Sequence, residues 1–199
     1  MKIVLASNNQ GKLAELRAML APLGLELMAQ GDLGIAEAAE PFHTFVENAL
    51  AKARHAAEHS GLPALADDAG LCVDAFGGLP GVDTVHYATQ FGYEKGDDNN
   101  VRALLEQMRD VGNRRAALVS TLVAVRSPQD PEPLIAVGRV VGEIARAPVG
   151  SNGFGFDPVM YIPELGKTFA QMPVDVKNAN SHRGRAARAM VELMRERWL

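Results

Sequence analysis

Cysteine is all but missing from this chain. Cys72 is the only one in 199 residues, so no disulfide can form within the chain, and a reducing compartment is expected. Flanked by Leu71 and Val73, Cys72 reads as a small core residue. Long apolar runs are missing too. Nothing approaches the length of a membrane span, and the apolar stretch Ile3–Ala6 is too short for the hydrophobic region of a signal peptide. Positive charge is not in excess: the net charge is −4. A global field that would draw the protein to nucleic acid or to an anionic membrane is therefore excluded, and phosphate binding must come from local cations. Repeats, low-complexity tracts and an interdomain linker are absent. The expectation is one cytoplasmic domain over residues 1–199, or two small lobes. A chain of this length can bury a substantial core without staples.

Apolar residues make up 47% of the chain, and their spacing changes along it. Ile3 to Ala6 reads as a buried strand. Leu13, Leu16 and Leu20 recur at helical spacing until Pro22 and Gly24 stop them. Leu25 to Ala29 reads as a second strand, and residues 30–43 as an irregular loop. Thr44-Phe45-Val46-Glu47 fits a capping box opening an alanine-rich helix that runs to about Ser60. Ala64-Leu65-Ala66 is a short strand ending in two aspartates. Val101, Leu104, Leu105 and Met108 mark a helix that Asp97 or Asp98 can cap. Ala117 to Val125 and Leu134 to Ile144 are β-rich and read as a long hairpin. A last helix follows Ser181, with Met190, Leu193 and Met194 on one face. The fold class is mixed α/β: an elongated, twisted mixed sheet with flanking helices, expected as two lobes around a central cleft.

Four segments carry candidate chemistry. Ser7-Asn8-Asn9-Gln10-Gly11-Lys12 joins a strand to a helix. Such a turn aims backbone N–H groups and a helix N-terminus outward, an arrangement that favours anions, and Lys12 adds a full charge. The glycine spacing is not that of a Walker A loop. Read alone, the segment is an ordinary helix cap with a surface lysine. Next, Thr44, Asn48 and Lys52 share one side of the capped helix, so Lys52 can reach a phosphate near the helix start. Glu40, in the preceding loop, is free to bind metal or simply exposed.

Ala66-Asp67-Asp68-Ala69-Gly70 places adjacent carboxylates at the end of a buried strand. That is costly unless metal or donors compensate. Strand neighbours point to opposite faces, so only one of the two serves a given site. Hard oxygen ligands suit magnesium, and a second carboxylate can act as general base for water. The competing reading is a solvated turn.

Gly150-Ser151-Asn152-Gly153-Phe154-Gly155-Phe156-Asp157-Pro158, then Lys177 and Ser181-His182-Arg183-Gly184, look like a purine reader. Glycines let a backbone approach a flat ring, and an aromatic face can stack on it for ~1–3 kcal/mol. Asp157 can accept from a base edge, and His182 and Arg183 can donate. The bland alternative is a Gly/Pro turn followed by a basic helix start. His43, His55, His59 and His86 lack the arrangement of a zinc site.

Taken in order, these segments, together with Gly78-Leu79-Pro80-Gly81-Val82, resemble the inosine triphosphate pyrophosphatase family. Its bacterial members are the dITP/XTP pyrophosphatases. The resemblance spans nearly the whole chain. It implies a homodimer and magnesium-dependent hydrolysis of ITP, dITP or XTP to the monophosphate and pyrophosphate, cleansing the nucleotide pool. By motif match, Ser7, Asn8, Asn9, Gln10, Gly11 and Lys12 contact the triphosphate, and Lys52 a phosphate. Asp68 is the implied proton acceptor and a magnesium ligand, with Glu40 the second acidic ligand. Phe154, Gly155, Phe156, Asp157, Lys177, His182 and Arg183 hold the nucleoside end. The chain departs from the family pattern at Ser7-Asn8, at Pro41-Phe42-His43 after Glu40, and at Ala69, where serine is frequent. A backbone N–H contact at Ala69 survives that change.

Keto-purines present a 6-oxo acceptor and an N1–H donor, whereas adenine presents an amino group and an acceptor. Donors at His182 or Arg183 would face adenine's amino group, and mismatched buried polar groups can discriminate by up to ~10⁴–10⁵. Two other readings stand beside this one: a pyrophosphatase for other modified or pyrimidine nucleotides, and a nucleotide-binding regulator without catalysis.

Overall fold

A computed structural model describes residues 1–199. Twelve elements matter here. They are β1 (Lys2–Leu5), α1 (Gln10–Leu20), β2 (Glu26–Ala29), α2 (Phe45–Ser60), β3 (Ala64–Val73), α3 (Asp97–Gln107), β4 (Arg115–Val125), β5 (Leu134–Ile144), β6 (Met160–Ile162), β7 (Lys167–Thr168), α4 (Val174–Asn180) and α5 (His182–Arg197). The strands form one mixed sheet in the order β2-β1-β3-β4-β5-β6-β7. β1 pairs in parallel with both β2 and β3, while β6 is antiparallel to β5 and to β7. The mixed α/β class expected from the sequence is the class observed.

The chain forms two compact units. The first holds Met1–Asp68, Ser120–Gly138 and His182–Leu199; the second holds Ala69–Val119 and Arg139–Ser181.

In the first unit, β1 supplies Ile3, Val4 and Leu5, all fully buried. β1 is covered on one side by α1 and α5. Leu13, Leu16 and Leu20 of α1 and Ala186, Ala187, Met190 and Met194 of α5 join Ile3, Leu5 and Leu65 in one apolar cluster. α2 covers the other side with alanines. Ala49, Ala53, Ala56 and Ala57 lie against Val4, Ala64, Ala66, Val123 and Val125. Small side chains let this helix sit close to the sheet, which brings residues along it within reach of β3. Gly138 of β5 has a related purpose: a Cβ there would collide with the His182 carbonyl and the Ala186 amide of α5.

Helix ends follow local chemistry. Asn9 caps α1, its Oδ1 accepting from the Lys12 N–H at 3.0 Å. Thr44 caps α2, its Oγ1 accepting from the Glu47 N–H at 3.3 Å. The expected box is only half made: Thr44 Oγ1 donates to Glu47 Oε2 at 2.6 Å, so the Glu47 carboxylate takes the hydroxyl proton. Gly61 closes α2 at φ 67°, a conformation open to glycine without strain.

The second unit is built around Leu71, Val73, Leu104, Met108, Val140, Ile144, Phe156, Met160 and Phe169. The structure departs from the sequence expectation in three places. β3 does not stop at the aspartates but runs on to Val73. Neither Asp97 nor Asp98 caps α3: the N-cap is Gly96, without a side-chain bond, and Asp97 Oδ2 instead accepts from the Gly155 N–H at 2.7 Å. Residues 174–180 form the short helix α4, which carries Lys177.

Candidate active site

The two aspartates lie inside β3, with strand pairing before and after them, so the solvated-turn reading falls away. The pleat sends their side chains to opposite faces, and each meets a different set of partners.

Asp67 is completely enclosed. Its Oδ1 accepts from Ser120 Oγ at 2.6 Å. Its Oδ2 accepts from Arg183 Nε and Nη2 at 3.2 and 3.1 Å and lies 3.0 Å from Lys12 Nζ. Arg183 Nη1 also donates to Glu15 Oε2 at 2.6 Å. Burial alone would push the Asp67 carboxyl up, but the Arg183 and Lys12 charges, with the Ser120 bond, outweigh it and hold it far below the ordinary carboxylate range. Asp67 is thus a permanent buried anion, with both oxygens engaged by protein donors. Its work is to hold Lys12 and Arg183.

Asp68 faces α2. Lys52, two turns into that helix, donates to Asp68 Oδ1 at 3.0 Å and to Glu40 Oε2 at 2.8 Å. Asp68 Oδ2 is buried and has no hydrogen-bond partner. Burial is the main cause that raises the Asp68 carboxyl, and the Glu40 charge adds to it. Lys52 and Lys12 pull the other way, and the outcome is about 6. Glu40 moves down: burial is outweighed by the bond to Lys52 and its charge. Of the two carboxyls, Asp68 is therefore the one that gains a proton first. Lys52 is raised, since the Asp68 and Glu40 charges overcome its own burial.

Glu40 reaches this cluster despite Pro41-Phe42-His43. Asn48, buried in α2, grips that segment through both backbone groups of one residue: Oδ1 accepts from the Phe42 N–H at 3.0 Å and Nδ2 donates to the Phe42 carbonyl at 3.1 Å.

The turn from Ser7 to Lys12 takes the expected form. Ser7 Oγ accepts from the Asn9 N–H at 3.2 Å, and Asn8, Asn9 and Gln10 are exposed at the start of α1. Gln10 and Gly11 present first-turn amides without helical partners, and Lys12 stands beside them, an arrangement of the kind that favours anions. Asn8 Oδ1 lies against Gly31, where a Cβ would be only 2.9 Å away.

In the second unit, the glycine-rich loop is tied by one carboxylate. Asp157 Oδ2 accepts from the Phe154 N–H at 2.9 Å and from Lys177 Nζ at 2.5 Å. The Lys177 ammonium lies 4.7 Å from the centre of the Phe154 ring, a cation–π distance. Gly153, at φ 78°, is where a Cβ would run into the Asp157 carboxylate. The glycine makes room for this ion pair. Ala69 follows Asp68 on β3 and is half-buried.

Two of the residues expected at the nucleoside end pack inside the protein. Phe156 is a core side chain, 3% exposed. Arg183 is a buried counter-ion to Asp67 and Glu15 in the first unit, with His182 buried beside it at the start of α5. The structure thus gathers Lys12, Asp67 and Arg183; Lys52, Glu40 and Asp68; and Phe154, Asp157 and Lys177. Sequence reasoning missed Glu15 and Ser120. Both were visible as anomalies: Glu15 sits among the core-facing leucines of α1, and Ser120 interrupts an apolar strand.

Two carboxylates converging on one cation, one of them with a buried oxygen lacking a partner, fit a magnesium site. That ion is satisfied by one or two carboxylates, with water and substrate phosphates completing its shell.

A family model, the Ham1 family, matches residues 3–193. The dITP/XTP pyrophosphatase of Albidiferax ferrireducens is 88% identical over 199 residues, covering 100% of both chains. That of Leptothrix cholodnii is 56% identical, covering 100% of this chain and 99% of its own. Among solved structures, a HAM1 protein from Coxiella burnetii matches with a TM-score of 0.91 at 41% identity, covering 98% of this chain and 99% of that one. A nucleoside-triphosphatase / dITP/XTP pyrophosphatase from Mycobacterium abscessus matches with a TM-score of 0.75 at 40% identity, covering 96% and 98%. The chain belongs to the Ham1 family.

Proposed function

We propose that this protein is a nucleoside-triphosphate pyrophosphatase that hydrolyses ITP, dITP and XTP to the monophosphate and pyrophosphate. The observation that carries the reading is the division of labour across β3. Asp67 is locked as an anion that positions Lys12, while its neighbour Asp68 keeps a free buried oxygen beside Lys52 and Glu40. The names of the dITP/XTP pyrophosphatases at high identity support the substrate class.

In this reading, water attacks the α-phosphorus and pyrophosphate leaves. Asp68 Oδ2 has no protein donor to compete for it and takes the water's proton. Lys12 and the α1 amides meet the charge that grows on the phosphate oxygens, and Lys52 stabilises the same charge from α2. Asp68 and Glu40 would hold Mg²⁺, whose chemistry is charge neutralisation at the phosphates. Phe154, Asp157 and Lys177 keep the purine-end role that the family resemblance implies. The purine-reading donor is assigned to the 181–184 segment, with Arg183 acting there as the anchor.

A cytoplasmic homodimer completes the proposal. No helix is long and apolar enough to cross a membrane, and Leu79, Val85 and Phe91 of the second unit are exposed apolar residues that suit a second copy.

The test is a panel of nucleoside triphosphates with Mg²⁺, reading pyrophosphate against orthophosphate. ITP, dITP and XTP should yield pyrophosphate well ahead of ATP and GTP. Orthophosphate as the first product would place the cut at the γ position and end this reading.

A further inference from the structure

Lys52 stands where the metal reading requires a cation. Its ammonium lies 2.8 Å from Glu40 Oε2 and 3.0 Å from Asp68 Oδ1. Its side chain is only 11% exposed. Magnesium binds carboxylate oxygens at about 2.0–2.1 Å and tolerates little distortion. A divalent ion on Glu40 and Asp68 would approach a carboxylate pair that already holds this ammonium on one oxygen of each. It would also sit within a few ångströms of a fixed like charge, with Lys12 adding more from the Asp67 side. The ion and the ammonium therefore compete for the same carboxylate pair.

From this geometry we infer that Lys52 is a resident counter-ion, so that the site takes its divalent cation together with a polyphosphate and not ahead of it. The inference rests on the proposed function and concerns how the same site loads. In the metal-free protein, Lys52 neutralises a half-buried carboxylate pair that would otherwise repel itself. A polyphosphate offers the ammonium a new anionic partner. Lys52 can then turn from the carboxylates to a phosphate oxygen and release Glu40 Oε2 and Asp68 Oδ1. Metal and polyphosphate should bind with positive coupling, and by reciprocity each should tighten the other by the same factor. The preferred ligand is thus the metal–polyphosphate complex, and the free ion alone is held weakly.

The experiment measures binding of Mn²⁺ alone to the full chain, by calorimetry or by loss of the free-ion electron-spin signal. Wild type is compared with Lys52→Met, which keeps the stem and removes the charge, and with Lys52→Arg, which keeps the charge. Lys52→Met should tighten Mn²⁺ by about 10-fold, within the ~5–150-fold range of typical site coupling. Lys52→Arg should not tighten it. Mn²⁺ binding by Lys52→Met that is no tighter than wild type overturns the inference. Should Met not be tolerated in the fold, Lys52→Gln gives the same comparison. Adding Glu40→Gln to Lys52→Met separates the two failures. If that double variant keeps the tightened binding, the ion is not on these carboxylates, and the metal reading itself falls.

Discussion

At the scale of single residues, the chain distinguishes two identical side chains by their neighbours. Asp67 has donors on both oxygens, and Asp68 has a lysine on one and nothing on the other. Asp68→Asn should lower turnover by ~10²–10⁴-fold, the usual worth of a positioned base, while nucleotide binding stays measurable by calorimetry. The raised carboxyl also has a stability consequence. The folded state holds the Asp68 proton up to about 6, against an ordinary 3.8. Folded protein therefore binds more protons than unfolded protein in that window, and Asp68's contribution to stability falls as pH rises through it. Thermal melts at pH 8 should find Asp68→Asn no less stable than wild type, with its relative advantage shrinking below pH 5. Arg183 should behave in the opposite way. Removing it strands the Asp67 and Glu15 charges in the interior, so Arg183→Ala should cost about 3–5 kcal/mol in denaturant titrations. A loss within experimental error would show that the buried triad is not paired in solution.

At the scale of elements, helix starts and the apolar strand β1 were legible because their signals are local. Asn9, Thr44 and Gly61 each satisfy backbone groups within a few residues of themselves. Thr44→Ala should cost about 1 kcal/mol, read by chemical denaturation, and Glu47→Gln less, since Glu47 accepts only the Thr44 hydroxyl at this helix start. The length of β3 was not legible. Asp-Asp-Ala-Gly is good turn chemistry by itself, and only Ser120, Lys12, Arg183 and Lys52, all distant in sequence, make carboxylates tolerable within a strand. The same holds for Asp97: its cap-like position before α3 suggested a local bond, yet its partner is the Gly155 amide, 58 residues away. Arg183 pairs with Glu15 and Asp67, and nothing near it in sequence announces either partner.

At the scale of the whole molecule, sequence order of motifs was enough to place the chain in its family, while the membership of each of the two units is set by contacts between remote segments. The proposed homodimer is tested here. Sedimentation equilibrium should give twice the 21.3 kDa chain mass, and Val85→Glu should shift it toward one chain. A monomer at micromolar wild-type concentration would contradict the proposal.

The pleat of β3 carries a last consequence. In the proposed reading, parity along the strand decides which of two like letters serves the chemistry and which the scaffold. A single inserted residue just upstream would hand each aspartate the other's surroundings or none, leaving composition nearly untouched and the catalyst dismantled. Tolerance to length change in this stretch should therefore be far lower than tolerance to conservative substitution.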